Sequence, residues 1–352
     1  MSTSIPEEVL KAYSAKDAVV TPLGTGLINE TFLVEVSSSR RIVVQRLHPI
    51  FADGVNLDLE RVALHLESVG VHTPHLVRTK KGHSSVTDDE KRLWRAITYV
   101  PGTATDVLRD EAHAFSAGQL VARFHRATSA LDVAQLQKEP RDIHDTQVHV
   151  AGLQDALAQH RDHALFDDVN ALAEPLLAQL ASLPDVRHHD VRMCHGDLKV
   201  SNLLFDDEGH GLCLVDLDTI GPMRWVHEMG DALRSWCNPG GEDAATVQFN
   251  AAFFAAGIRG YFDDDGDKGA FISARERDDL VDGVATICFE LAARFLADAL
   301  NDSYFGWNDA KFDSRVAHNL HRGRGQYELG LDVMRQRDVL RDVVNQATGH
   351  LD

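Results

Sequence analysis

Asp197, Asn202, Asp216 and Asp218 fall within one stretch, MCHGDLKVSNLLFDDEGHGLCLVDLDT, from Met193 to Thr219. All four carry hard oxygen donors. Such donors suit Mg²⁺ held against phosphates, and a spare carboxylate can accept a proton from a hydroxyl nucleophile. Lys199 stands between Asp197 and Asn202, where a cation could meet a phosphoryl group in transfer. For these side chains to act together the chain must fold back. Two short apolar runs, Leu203–Phe205 and Leu212–Val215, flank the polar turn Asp206–Gly211, and together they read as strand–turn–strand. The hairpin would bring Asp197, Asn202 and Asp216 to one edge. HGD can also be a capped turn, and Asp pairs are common on loops. The joint spacing of carboxylate, amide, hairpin and second carboxylate favours the chemical reading.

The preceding segments must position whatever these groups act on. Ser4–Tyr13 reads as a short amphipathic helix with Ser4 as its N-cap. Alternation over Val19–Leu23 and Thr31–Val36 indicates two strands. Between them GTGLIN, with Gly24, Gly26 and Asn29, is a glycine-bearing turn whose backbone N–H groups can approach phosphates. An ordinary β-hairpin is the other reading of that turn. Arg41–Leu47 is a third strand ending on Gln45 and Arg46, and a guanidinium there can grip phosphate oxygens bidentately. The helix Leu57–Val69 carries Leu57, Val62, Leu66 and Val69 on its apolar side. Its Glu60 could pair with Arg46, or lie in a surface arrangement. ITYV, containing Tyr99, is the segment expected to link a lobe over residues 1–100 to one over 101–352.

Beyond Asp106 apolar residues recur at helical spacing, with His125 packed or capping rather than reactive. Asp142–Leu183, Ala244–Ala256, Ala274–Leu300 and Ser314–Val344 are likewise helical. DDDGDKG reads as a solvated turn, because no Glu follows at the distance a calcium loop needs. Glu290, Arg294 and Asp298 recur every four residues, which fits either an exposed ion-pair ladder or a ligand-facing row. Tyr304, Phe305, Trp307, Arg322 and Arg324 follow. Carboxylates, guanidinia and flat aromatic faces together suit a neutral polyhydroxylated ligand.

Bulk composition sets limits. The 352 residues carry a formal net charge of −19, which argues against non-specific nucleic-acid binding. A nucleoside triphosphate must therefore be neutralised locally. With 44% hydrophobic residues a core is affordable, yet no apolar run has the length of a transmembrane helix. Cys194, Cys213, Cys237 and Cys288 are scattered, as expected of reduced thiols in a cytoplasmic protein. His160, His163, His188 and His189 lie among Arg and Asp, and read as solvated faces rather than a metal site.

HGDLKVSN followed by LVDLD resembles the aminoglycoside phosphotransferase/choline kinase superfamily, and the D-x-x-x-x-N spacing is that of kinase catalytic loops. The resemblance implies an α+β, bilobal, protein-kinase-like fold with a small β-rich N-lobe and a larger, mainly helical C-lobe. It implies Asp197 as base, aided by Lys199, and Asn202 and Asp216 as Mg²⁺ ligands, with Asp218 counted beside them. It further implies His195 and Asp231 as structural support of the loop, and ATP contacts from Gly24, Gly26, Asn29, Thr31, Arg46, Glu60 and Tyr99. Arg46 departs from the superfamily, which places a Lys on this strand. Within the superfamily the chain is similar to N-acetylhexosamine 1-kinases. That similarity runs through Gly26–Thr31, VVQR, LDLDT, GDALRS, Arg294–Leu300, Tyr304–Phe305 and His318–Gln326. It implies γ-phosphoryl transfer to a sugar C1 hydroxyl, with Arg294, Asp298, Tyr304, Asn319 and Arg322 around the sugar. Another small-molecule kinase (aminoglycoside, choline, ethanolamine or homoserine) or a catalytically silent binding module are the competing readings.

Overall fold

The computed structural model describes residues 4–24, 29–137, 143–244, 246–263 and 271–349. Gly26 and most of DDDGDKG lie outside them. The N-terminal part comprises α1 (Glu7–Ala12), β1 (Val19–Pro22), β2 (Glu30–Ser37), β3 (Arg40–Arg46), α2 (Gly54–Ser68), β4 (Leu76–Val77), β5 (Val86–Thr87) and β6 (Leu93–Thr98). Its strands form one antiparallel sheet, ordered β1-β2-β3-β6-β4 with β5 on β6. The period-two pattern sorts side chains between the two faces. Phe32, Val34, Ile42, Val44, Trp94 and Ala96 pack with Val9, Leu10 and Tyr13 around α1. Val43 and Ile97 point the other way, into the large core shared with α2 and the helices beyond. By the same parity Thr31, Gln45 and Arg95 face that second side, in register across β2, β3 and β6.

The remainder is mainly helical: α3 (Glu111–Thr128), α4 (Thr146–Gln159), α5 (Phe166–Ser182), β7 (Val191–Cys194), β8 (Leu203–Phe205), β9 (Gly211–Leu214) and β10 (Gly221–Arg224) lead into α6 (Trp225–Trp236). Then follow α7 (Ala251–Phe262), α8 (Ala274–Asp278), α9 (Leu280–Asn301), α10 (Arg315–Arg335) and α11 (Arg337–Thr348). The result is the α+β, protein-kinase-like fold that the sequence implied. Thr103 and Phe205 exchange backbone hydrogen bonds at 2.8 and 3.0 Å, tying the segment after the sheet to the β8–β9 hairpin. Among the described residues no helix is long and apolar enough to cross a membrane.

Several local expectations need correction. Pro6, not Ser4, occupies the cap of α1. Leu57 and Val69 are exposed, and α2 buries Val55, Leu59, Val62, Ala63 and Leu66 instead, a stripe rotated around the helix. The helix expected over Ala244–Ala256 starts only at Ala251, where Asn250 accepts the N–H groups of Ala252 and Phe253, and runs on to Phe262. The two C-terminal helical stretches each divide, at Asp279 and at Gln336. His189 is buried against Asp279 at 2.9 Å rather than solvated. The four cysteines are free and buried.

The centre of the helical part depends on two glycines that let α3 and α7 touch backbone to backbone. A Cβ at Gly118 would lie 2.1 Å from the Gly257 carbonyl oxygen, and one at Gly260 would lie 2.0 Å from that of Phe115. Neither oxygen can retreat without moving a helix. Gly118→Ala should therefore destabilise the protein by ~1–3 kcal/mol or more despite alanine's better helix propensity. Chemical denaturation measures this, and an unchanged midpoint would contradict the packing described.

Candidate active site

The catalytic stretch folds as its residue pattern requires. β8 and β9 pair antiparallel, Leu203 opposite Leu214, and the Val215 N–H donates to the Asn202 carbonyl at 2.9 Å. Asp216 therefore emerges beside Asn202. Its φ of 64° is left-handed, a conformation uncommon outside glycine and best tolerated by Asn and Asp. Gly196 is also left-handed at 86°, and a Cβ there would meet the Thr219 carbonyl oxygen at 2.6 Å. The two halves are stitched further: Thr219 Oγ1 donates to the His195 carbonyl at 2.9 Å, and His195 Nε2 bonds the Val215 carbonyl at 3.0 Å.

Asp197 is held by cations and amides. Lys199 Nζ donates to its Oδ2 at 2.6 Å, and Asn202 Nδ2 donates to the same oxygen at 2.9 Å and to the Asp197 carbonyl at 2.8 Å. This fixes the Asn202 amide so that its other atom, a carbonyl oxygen, is the one left to serve as a ligand. Burial opposes the Lys199 charge, but Asp197, and next Asp216 and Asp231, outweigh it and raise the ammonium's pKa. The Asp216 carboxyl is pushed up to about 7, first by burial, then by the charges of Asp218 and Asp197, against the pull of Lys199 and Arg95. Three carboxylates thus share a buried place with two cations. That surplus of anionic oxygen is the donor set of a hard divalent ion, whose charge would restore ionisation. The residues fit Mg²⁺.

Asp218 does something the sequence did not disclose. Arg95 from β6 donates to its Oδ1, and Asn29 donates to its Oδ2 at 2.8 Å. The Asn29 Oδ1 in turn accepts the His48 N–H at 3.0 Å. A residue expected among metal ligands is thereby clasped from the sheet side through both oxygens. The expected Arg46–Glu60 pair is absent: Arg46 pairs with Glu30, and Glu60 accepts Arg78 Nε at 2.8 Å. The reason is parity, since Arg46 shares the α1-side face with Ile42 and Val44. Thr31 accepts Gln45 Nε2 at 3.2 Å, Tyr99 lies 4.5 Å beneath the Arg41 guanidinium, and Gly24 is left-handed with open space around it.

Support of the HGD turn comes from Glu228. Glu228 accepts the N–H groups of His195 and Gly196 at 2.7 and 2.9 Å. Burial disfavours its charge, yet His125 and these N–H groups hold it below the usual carboxylate range. His125 is buried, as expected, between Glu228 and the Tyr261 hydroxyl. Asp231 instead accepts Arg234 at 2.8 and 3.0 Å, and Arg234 reaches Glu242 at 3.1 Å. A cavity of about 140 Å³ opens here, lined by Asp106, Lys199, Ser201, Arg234, Asn238 and Glu242. The Asn238 Oδ1 is buried with no partner among the described residues. A buried Glu one turn before the flagged Asp, and an Arg in the middle of an apolar strand, were the available signals for Glu228 and Arg95.

Among the acceptor candidates, Asp298 accepts the backbone N–H groups of Ser303, Tyr304 and Phe305 at 2.8–3.0 Å, the Ser303 hydroxyl at 3.1 Å and Asn319 Nδ2 at 2.9 Å. It is a staple for the loop that ends α9. Asn319 Oδ1 is buried without a partner among the described residues, and Arg322 bonds the Gly306 carbonyl at 3.0 Å and Asp243 at 3.2 Å. The Arg294 guanidinium lies 5.5 Å over the Phe305 ring, and the Tyr304 ring beside it is 60% exposed. Glu290 is no part of an exposed ladder, being buried with His144 at 2.8 Å and Thr146 at 2.6 Å.

A small-molecule phosphotransferase is the class of protein that this fold and this site define. The chain belongs to the phosphotransferase enzyme family, whose model matches residues 19–271. It is similar in structure to an aminoglycoside phosphotransferase from Alicyclobacillus acidocaldarius, at 17% identity and TM-score 0.62 over 100% of this chain and 98% of the other. A microcompartment-associated aminopropanol kinase matches at 15% identity and TM-score 0.64, over 95% and 97%. An amicoumacin kinase in complex with AMP-PNP and Ca²⁺ matches at 12% identity and TM-score 0.58, over 90% and 91%.

The buried His144–Glu290 pair gives the helical part a pH signature. Burial opposes the His144 cation, but Glu290 outweighs it and raises the imidazole's pKa; Glu290 is also disfavoured by burial yet held low by His144. A raised His pKa contributes stability that is full below the unfolded value of ~6.5 and fades as pH climbs through the folded value. The stability gap between wild type and His144→Gln should accordingly be widest near about pH 6 and narrow on the alkaline side. Denaturant titrations across pH measure it, and a gap that widens with pH would refute the assignment.

Proposed function

We propose that this phosphotransferase moves the γ-phosphoryl of ATP, with Mg²⁺, to the hydroxyl of a sugar, most closely the C1 hydroxyl of an N-acetylhexosamine. In this reading residues 1–100 form the nucleotide-binding lobe and 101–352 the catalytic and acceptor-binding lobe. The observation that carries the chemistry is the convergence of Asp197, Asn202 and Asp216 through the β8–β9 hairpin. Asp197 orients the acceptor hydroxyl and takes its proton as the new O–P bond forms and the β,γ-bridging P–O bond breaks, releasing ADP. Lys199 and the Asn202 amide hold the carboxylate in that attitude, and Glu228 fixes the turn that presents it. Asn202 and Asp216 would hold Mg²⁺, with Asp218 behind them; the ion supplies charge neutralisation at the phosphate oxygens. Gly24, Asn29, Thr31 and Tyr99 would lie along the nucleotide.

The sugar assignment rests on the segment from Arg294 to Arg322. Phe305 under Arg294, with exposed Tyr304 set edge-on beside it, is an aromatic corner rimmed by polar groups. Among the described residues neither the Asn319 amide oxygen nor the Asn238 oxygen at the cavity finds a donor, and hydroxyl or acetamido N–H groups can supply one. In this scheme Arg294 and Tyr304 touch the ring, while Asp298 and Arg322 hold the loop that carries them. Asp106 and Glu242 beside the cavity favour a second reading, an amino-alcohol or aminoglycoside acceptor whose ammonium they would bind.

A panel of free sugars, amino alcohols and aminoglycosides incubated with ATP·Mg²⁺, with product position read by NMR, separates these. The sugar reading expects a 1-phosphate, formed fastest from an N-acetylated hexosamine; turnover confined to amines would replace it with the second reading. Asp197→Asn should keep the fold yet lose roughly 10²–10⁴-fold in kcat on the same acceptor, and retained turnover would remove Asp197 as base.

A further inference from the structure

The nucleotide side of the site has a gap. Gln45 occupies the strand position that faces the cleft, and Arg46 is turned away toward Glu30. Glu60, the helix residue that should lock a strand cation, is bound to Arg78. A phosphate-binding cation is therefore missing from β3, although the local charge balance calls for one.

The neighbouring strand supplies it. Arg95 stands directly opposite Gln45 in the β3–β6 register and is 1% exposed. Its Nε and Nη2 donate to Gln45 Oε1 at 2.9 and 2.7 Å, and its Nη1 donates to Asp218. Gln45 is fixed in turn by Thr31, which accepts its Nε2 at 3.2 Å and so determines which amide atom faces the guanidinium. One edge of the planar fork is thus pinned by a neutral amide, and the other is aimed at the Asp216–Asp218 segment. A guanidinium wanted only for packing would not need an amide chain two strands deep to set its rotation.

We propose that Arg95 is the cation that grips the nucleotide's phosphates. In effect the charge has moved one strand over, from β3 to β6, with Gln45 as the residue that orients it. Asp218, buried like Arg95, holds the fork in place, and a phosphate oxygen shares its outer N–H groups when nucleotide enters. An Arg rather than a Lys suits the position, because only a planar fork can accept orientation from Gln45 along one edge and present N–H groups along the other. The inference rests on the phosphotransfer reading above, in that it presupposes a nucleoside triphosphate in the cleft.

The test is equilibrium binding of Mg·AMP-PNP by calorimetry without acceptor, on wild type, Arg95→Gln, Gln45→Met and the double variant Arg95→Gln/Gln45→Lys. Loss of one charge-assisted contact should weaken nucleotide binding roughly 10- to 100-fold in Arg95→Gln. The double variant, which returns a cation to β3 at the cross-strand neighbour, should recover at least part of that loss. Gln45→Met, which keeps the charge but frees its rotation, should lose a few-fold and remains informative if Arg95→Gln does not fold. Acceptor KM in turnover assays should stay within about twofold in all folded variants. Binding of AMP-PNP by Arg95→Gln or Gln45→Met at the wild-type Kd, with only a lowered thermal midpoint, would make Arg95 a strut between lobes and overturn the proposal. A wild-type protein that binds no Mg·AMP-PNP would overturn the phosphotransfer reading itself.

Discussion

Three carboxylates confined to a buried edge between a sheet and a helical body repel one another, and that repulsion organises the molecule. Burial first, and then the neighbouring charges of Asp218 and Asp197, push the Asp216 carboxyl up to about 7. Lys199 and Arg95 offset part of the charge, one from each side of the cleft. The remainder is a standing demand for a divalent cation and for whatever that cation carries. Binding and chemistry follow from the same electrostatic debt.

The scaffold meets the cost of this arrangement with other buried polar groups. Glu228 spends a second buried anion on two backbone N–H groups, which fixes the turn that aims Asp197. Asp218 joins the lobes: its partners Asn29 and Arg95 belong to the sheet, while its backbone continues the catalytic hairpin. On the acceptor side the same economy recurs, with Asp298 satisfying three backbone N–H groups of the loop that displays Tyr304 and Phe305.

Local pattern disclosed what depends on local geometry. The hairpin between Asn202 and Asp216 could be read from two apolar runs and a turn, and the N-terminal strands from strict alternation. Residues that act across long separations were hidden. Arg95 and Asp218 are joined only by the meeting of β6 with the catalytic hairpin, and nothing in either segment names the other. Strand parity, which local charge does not reveal, turns Arg46 toward Glu30 and puts Gln45 on the Val43 face. Glu228 carries no role on sequence grounds, because a Glu at a helix start is ordinary until its neighbours bury it. The Glu290–Arg294–Asp298 row was correctly seen as one face of a helix, but its acidic members proved to serve His144 and a loop rather than one another.

Electron paramagnetic resonance of Mn²⁺ titrated with AMP-PNP present probes the shared-charge account most directly, on wild type and on Asp216→Asn, a substitution that the left-handed backbone accepts. The account predicts tight nucleotide-dependent Mn²⁺ binding in the wild type and at least tenfold weaker binding in the variant, with the fold intact. Equal Mn²⁺ affinity in the two proteins would contradict it.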